Sequence, residues 1–283
     1  MLGAVIGDVI GSVYEVLEIL YLKEHKKNRP YDERIKVLDK NTPLFLEDCS
    51  MTDDSVLTCA ICDAYLTDKD YESKLMEYGK RELEKGFDNY GRSRFGKGFV
   101  KWLEDHSFNN SYGNGSSMRI SSLPYLIDDL DELKKEIHAS VIPTHNHKDA
   151  ILSAEALGVS IWMAKKGFGK EFIKKFVEEN YFKLDYDLED LRKNYKFTSK
   201  AIDSVPQAIY VFLESNDFED AIRKAISIGG DSDTIASMTG AIAESYYGIP
   251  DWMKKEVQKY IPQEYKKILD KEYEIKALIK KKR

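Results

Sequence analysis

The chain has 283 residues with 42% hydrophobic content, enough apolar material for a substantial core and too much for a disordered polymer. Forty-three Lys and Arg against forty-nine Asp and Glu leave a net charge of −6, a balance that gives no support to a broad nucleic-acid-binding surface. Three cysteines, Cys49, Cys59 and Cys62, argue against a disulfide-stapled secreted scaffold and fit a reducing cytoplasm.

No segment is long and apolar enough to span a bilayer; the best, Leu2 to Val13, is broken by Asp8 and three glycines. It also lacks the basic flank and cleavage site of a signal peptide, so it reads as part of the folded protein. In GAVIGDVIGSVYE, Gly3, Gly7 and Gly11 fall on one helical stripe, where each costs about 1 kcal/mol against alanine. Close packing of another helix is the simplest compensation. Asp8, Ser12 and Glu15 share a face at i, i+4 and i+7, either as a buried capping aspartate with a solvated glutamate or as functional carboxylates. The charged stretch from Lys23 to Asp48 reads as a functional loop.

A helix is expected over Thr52 to Leu66, with Thr52 as N-cap and Asp53 and Asp54 in its first turn. Acidic residues there are ordinary macrodipole partners, worth about 0.3–1 kcal/mol. With a neighbouring hydroxyl they are also hard oxygen ligands suited to Mg²⁺. Cys59 and Cys62 form a CxxC inside this helix and read as core rather than redox chemistry. A helix over Tyr71 to Glu84 follows, then a second long loop from Gly86 to Gly115. It runs into NNSYGNGSSMR, Asn109 to Arg119, where Gly113 and Gly115 flank Asn114 and leave amides and hydroxyls accessible. Such a turn either holds phosphate or simply precedes a helix; it is neither a Walker loop nor a GxGxxG fingerprint.

Helices are expected over Leu130 to Ser140, Asp149 to Ala164, Lys170 to Glu179, Ser199 to Glu214, Phe218 to Ser227 and Asp231 to Tyr247. PTHNHKDA places His145 and His147 ahead of the apolar helix from Asp149; no second Cys or His pair supports zinc, so one histidine facing a pocket is expected. Gly229 and Gly230 permit an unusual turn before Asp231, Asp233 and Thr234, and Ile235 and Ala236 rule out an EF-hand. Ala236, Gly240 and Ala243 form a small-residue stripe for close helix approach. Together the two acidic helix starts offer six oxygen-bearing side chains, enough for one or two divalent cations if the fold unites them. The terminal LIKKKR reads as a frayed helix end from about residue 275, and the whole as one all-α domain over residues 1–283.

In this order, GDVIGSVYE, MTDDS, NSYGNGSSMR, THNH and GGDSDT followed by GAIAESYYG resemble the ADP-ribosylglycohydrolase family over residues 1 to about 250. The resemblance implies a compact orthogonal helical bundle around a binuclear centre of two Mg²⁺ or Mn²⁺ ions. Thr52, Asp53 and Asp54 would bind metal from one side, and Asp231, Asp233 and Thr234 from the other. Ser111, Tyr112, Gly113, Asn114, Gly115 and Ser116 would surround the ADP-ribose phosphates and distal ribose, with His145 beside that ribose. Asp53 or Glu15 would handle protons. Glu15 matches a glutamate that in one branch sits on a mobile segment over the metals. Ser55 and Ser232 stand where the family often has threonine.

The implied activity is hydrolysis of the bond between ADP-ribose and an acceptor, on an ADP-ribosylated protein or small molecule. Neither nucleic acid nor membrane is expected as a partner, and the chain is expected as a monomer. Competing readings are an inactive or crystallin-like relative and a metal-dependent phosphohydrolase of a nucleotide sugar.

Overall fold

Helix α1, Leu2–His25, lies against α13, Ser232–Tyr247, with their backbones in contact. In the computed structural model, which describes residues 1–88, 90–107 and 110–281, this pair forms the centre. A Cβ on Gly3 would lie 2.4 Å from the Gly240 carbonyl oxygen, one on Gly7 2.0 Å from that of Ala236, and one on Gly11 2.4 Å from the Asp233 Cα. Gly240 answers across the seam, where a Cβ would sit 2.3 Å from the Gly3 carbonyl oxygen. The glycine stripe and the small-residue stripe therefore face each other, and the helix propensity lost at each glycine is offset by contact that any larger residue would prevent.

The remaining helices surround this pair. In chain order they are α2 (Tyr31–Arg34), α3 (Asp53–Leu66), α4 (Tyr71–Glu84), α5 (Lys97–Asp105), α6 (Leu123–Leu126), α7 (Leu130–Val141) and α8 (Lys148–Lys165). After these come α9 (Lys170–Asn180), α10 (Leu188–Asn194), α11 (Val205–Leu213), α12 (Phe218–Ser227), α14 (Asp251–Val257) and α15 (Gln263–Lys281). Helix α13 packs against α8, α11 and α12 as well as α1, so all its residues from Ser232 to Ala243 are buried. Helix α3 bears on α4 and α15, burying Cys59 and Cys62 as free thiols in the core. The all-helical expectation holds: among the described residues there is no strand, only the isolated bridges Asn110–His145 and Gly113–Lys200. No described helix is long and apolar enough to cross a membrane.

Three expectations need correction. The stretch from Lys23 to Asp48 is not all loop, because α1 continues to His25 and α2 follows. The stretch from Gly86 to Gly115 contains α5, whose period is obscured by Gly96 and Gly98 but which buries Trp102 and Leu103. The helix expected over Ser199 to Glu214 is a 3₁₀ turn at Ala201–Asp203 followed by α11 from Val205. Pro206 favours a helix start there, and upstream the Ser199 carbonyl accepts from the Asn114 amide at 2.7 Å, so this backbone pairs outward. The end expected to fray from about residue 275 belongs to α15, which runs to Lys281 and buries Tyr265, Leu269 and Glu272 upstream of it. Asn109, at the head of NNSYGNGSSMR, and Lys282 and Arg283 of the terminal run lie outside the described residues.

The seam makes a contrast of two glycines decisive. Gly7→Ala should destabilise the protein by about 1–3 kcal/mol or more through overpacking. Gly169→Ala, where nothing lies within 4 Å of the added methyl, should cost no more than about 1 kcal/mol, the loss of a glycine N-cap on α9. Urea unfolding of both variants checks this, and equal midpoints would refute the backbone contact.

Candidate functional site

The start of α3 is capped from another helix. Asp8, buried on α1, accepts from the Thr52 amide at 3.0 Å, the Ser55 amide at 3.1 Å and the Thr52 hydroxyl at 2.5 Å. Thr52 therefore occupies the N-cap position without capping through its own side chain. The expectation of a self-capped helix start is corrected: the Asp8 carboxylate meets the orphan amides, and its charge suits the positive helix end. Asp53 is then half-buried and Asp54 buried, both at the first turn.

The start of α13 is held by its two glycines. Gly229 and Gly230 have φ of 73° and 75°, the left-handed region that glycine adopts without a Cβ penalty. Arg34 braces this turn: its Nη1 donates to the carbonyls of Ile228 at 3.1 Å, Tyr195 at 3.1 Å and Arg192 at 3.2 Å. Its other nitrogen, Nη2, is paired with buried Glu18 of α1. The turn delivers Asp231, Asp233 and Thr234 to the face where α3 begins. Direct contact follows, because the Thr234 hydroxyl donates to Asp54 Oδ2 at 3.1 Å.

The two acidic helix starts thus converge, joined by α1. Ligand oxygens of Asp8, Asp54 and Asp233 lie within 4.8 Å of one another, as do those of Glu15, Asp231 and Asp233. Neither trio includes Asp53. Both oxygens of Asp8 are engaged by α3, which suits it to orienting that helix start. Asp54 Oδ1, by contrast, is buried and accepts from no described residue. Burial, the largest cause, pushes the carboxyls up: Asp8 to about 6, Asp231 to about 7 and Glu15 to about 8. Asp53, Asp54 and Asp233 are also raised well above the ordinary range, first by burial and then by neighbouring carboxylates. An orphaned carboxylate oxygen among crowded hard donors fits a divalent cation. The acidic cluster can bind metal.

Glu15 belongs to the unbroken helix α1 rather than to a mobile segment, and it is neither solvated nor unpaired. Arg92 donates to it at 2.8 Å and is itself held by Asp88 at 2.8 Å. These residues wall a cavity of about 490 Å³ whose lining includes Asp54, Asp231 and Asp233, Phe95, Phe99 and His145. That volume suits a small-molecule ligand. Ser111, Gly113, Asn114 and Gly115 line it as well. The Asn114 side-chain amide donates to Asp231 Oδ2 at 2.7 Å, locking this turn to the acidic cluster.

Two expected contacts are placed elsewhere. The Ser116 hydroxyl is wholly buried and donates to the carbonyls of Gly113 at 3.0 Å and Ala150 at 3.2 Å, away from the cavity. Tyr112 is exposed, its ring 5.8 Å from that of His147. Asp8 fulfils the capping reading of its sequence position, although the helix it caps is α3 rather than its own; Arg92 was missed as a site residue, and nothing local marked it.

Raised carboxyl pKa values mean that the folded protein binds more protons than the unfolded chain between about pH 4 and 8. Without metal, stability should therefore fall as pH rises through that window. Thermal melts in chelator should give a lower Tm at pH 8 than at pH 5, and saturating Mg²⁺ or Mn²⁺ should remove most of the loss. A pH-independent Tm in chelator would contradict this electrostatic account.

Comparison with known proteins agrees with this site. The family model described as ADP-ribosylglycohydrolase matches residues 1–281. ADP-ribosylhydrolase ARH3 of Gallus gallus is 25% identical, over 87% of this chain and 83% of its own. ADP-ribosylarginine hydrolase Tri1 of Pseudomonas putida (strain GB-1) is 24% identical, over 90% of this chain and 72% of its own. A solved structure titled ADP-ribosylglycohydrolase-related protein complex superposes with a TM-score of 0.63 at 21% identity, covering 98% of this chain and 93% of that one, a likeness of fold. The chain belongs to the ADP-ribosylglycohydrolase family.

Proposed function

We propose that this protein is a metal-dependent hydrolase that cleaves the glycosidic bond between ADP-ribose and an acceptor, reversing mono-ADP-ribosylation of a protein or small molecule. The observation that carries this reading is the convergence of two acidic helix starts beside the Gly113–Gly115 turn within one cavity. Thr52, Asp53, Asp54, Asp231, Asp233 and Thr234 would hold the cations, with Asp8 fixing the first three in place. When bound, one or two Mg²⁺ or Mn²⁺ ions supply positive charge that orients the sugar hydroxyls and acidifies water.

This chain's own residues supply the rest. The amides of Ser111, Gly113 and Asn114 are taken by the Thr144 carbonyl, the Ser111 hydroxyl oxygen and the Ser199 carbonyl, so the Gly115 amide and the Ser111 hydroxyl proton are the donors of this turn that suit phosphate and ribose oxygens. Asp53 is half-buried and outside both carboxylate trios, which supports a role for it in accepting a proton from water. Glu15 is a second proton acceptor, held in orientation by Arg92. Phe95 and Phe99 add apolar surface to the cavity wall.

Asp53→Asn and Asp231→Asn should each lower kcat by about 10²–10⁴-fold at saturating Mg²⁺. Arginine- and serine-linked ADP-ribosylated substrates, incubated with and without chelator, should yield free ADP-ribose and an intact acceptor only when metal is present. Release of AMP and ribose phosphate would identify a phosphohydrolase instead, and no product from either linkage would favour an inactive relative.

A further inference from the structure

Arg119, at the end of GNGSSMR, is completely buried, yet no described carboxylate pairs with it. Its Nη2 donates to the Ser140 carbonyl at 2.9 Å and the Thr144 hydroxyl oxygen at 2.9 Å, while Nε and Nη1 bond to no described residue. A buried cation without a counter-ion is costly, and an apolar side chain of similar volume would avoid that cost. The consequence of keeping a guanidinium there lies one residue beyond its partner. Thr144 Oγ1 is 2.6 Å from His145 Nδ1.

The order of donors follows from chemistry. A guanidinium only donates, so the Thr144 oxygen accepts from Arg119. The hydroxyl oxygen has a second lone pair, but its one proton meets no other acceptor among the described residues, which directs it at His145 Nδ1. A ring nitrogen that accepts is unprotonated, so the neutral imidazole carries its hydrogen on Nε2. Burial, reinforced by the charge of Arg119, holds the His145 pKa well below its ordinary value and keeps the ring neutral.

Nε2 hydrogen-bonds to no described residue and faces the turn in the cavity wall. It lies 3.5 Å from the position a Cβ would take on Gly113 and 3.2 Å from that on Gly115, so both glycines leave this ring edge clear. We infer that Arg119 is a positioning residue that, through Thr144, fixes His145 as the neutral Nε2–H tautomer and makes it a donor to an acceptor oxygen of the bound ligand. A ribose hydroxyl oxygen or a phosphate oxygen satisfies that requirement; a cationic group does not.

The ligand's identity rests on the function proposed above, but the tautomer is a property of the ligand-free protein. The full chain labelled with ¹⁵N-histidine gives both ring nitrogens in long-range ¹H–¹⁵N spectra, assigned by comparison with His145→Asn. Nδ1 is expected unprotonated and hydrogen-bonded, and Nε2 protonated, from pH 6 to 8. Thr144→Val should abolish the hydrogen-bond shift at Nδ1 and weaken ADP-ribose binding in calorimetry roughly 10-fold, about the worth of one hydrogen bond. Thr144→Ser should restore both. A proton on Nδ1 of the wild-type protein overturns the inference, as does a Thr144→Val variant with unchanged shift and affinity. If Thr144→Val does not fold, the wild-type spectrum alone decides. Failure of the wild-type protein to bind ADP-ribose counts against the proposed function and leaves the tautomer test intact.

Discussion

Backbone contact between α1 and α13 is the constraint on which the rest of the molecule depends. Helices separated by ordinary side chains sit about 8–10 Å apart. Here three glycines of α1 and Gly240 of α13 remove the side chains at the seam. The same register that sets Gly11 against Asp233 also carries Asp8 and Glu15 to the mouth of α13. Asp8 then reaches across to α3 and gathers its first turn. Three chain segments remote in sequence thus meet at one point because two helices lack side chains along one line.

The electrostatic consequence opposes folding. Carboxylates crowded into a buried space raise one another's pKa and weaken the folded state when no cation is present. Two devices keep the arrangement in place. Arg34 braces the Gly229–Gly230 turn from outside the cluster, and Arg92 neutralises Glu15 at its rim. Neither touches the inner carboxylates, whose orphaned Asp54 oxygen is left for a ligand rather than for a protein donor. The site is therefore preorganised for positive charge, and it is built on helix ends rather than on mobile loops.

Much of this is legible in the sequence because it is local. Glycine spacing on α1, acid and hydroxyl residues at two helix starts, and small residues on α13 all repeat at helical period. Cys59 and Cys62 fall inside an apolar helix, so their packing role is also readable. What escapes is either weakly periodic or remote. Helix α5 is masked by Gly96 and Gly98, and in α15 the residues that meet the core, Tyr265, Ile268, Leu269 and Ile275, are interleaved with lysines and glutamates. Asp8 caps a helix 44 residues away, and Arg92 reaches Glu15 across 77. No spacing rule connects such pairs; only the packed fold supplies them. The resemblance to a known family supplied the site's membership, and the geometry separated Ser116, turned inward, from the residues that line the cavity.

Anomalous diffraction from crystals grown with MnCl₂ tests the central claim most directly, because it locates the cation without reference to activity. Manganese density is expected between the first turns of α3 and α13, against the carboxylates of Asp54, Asp231 and Asp233. Ordered manganese confined to surface carboxylates, with that space filled by water or protein donors, would contradict it.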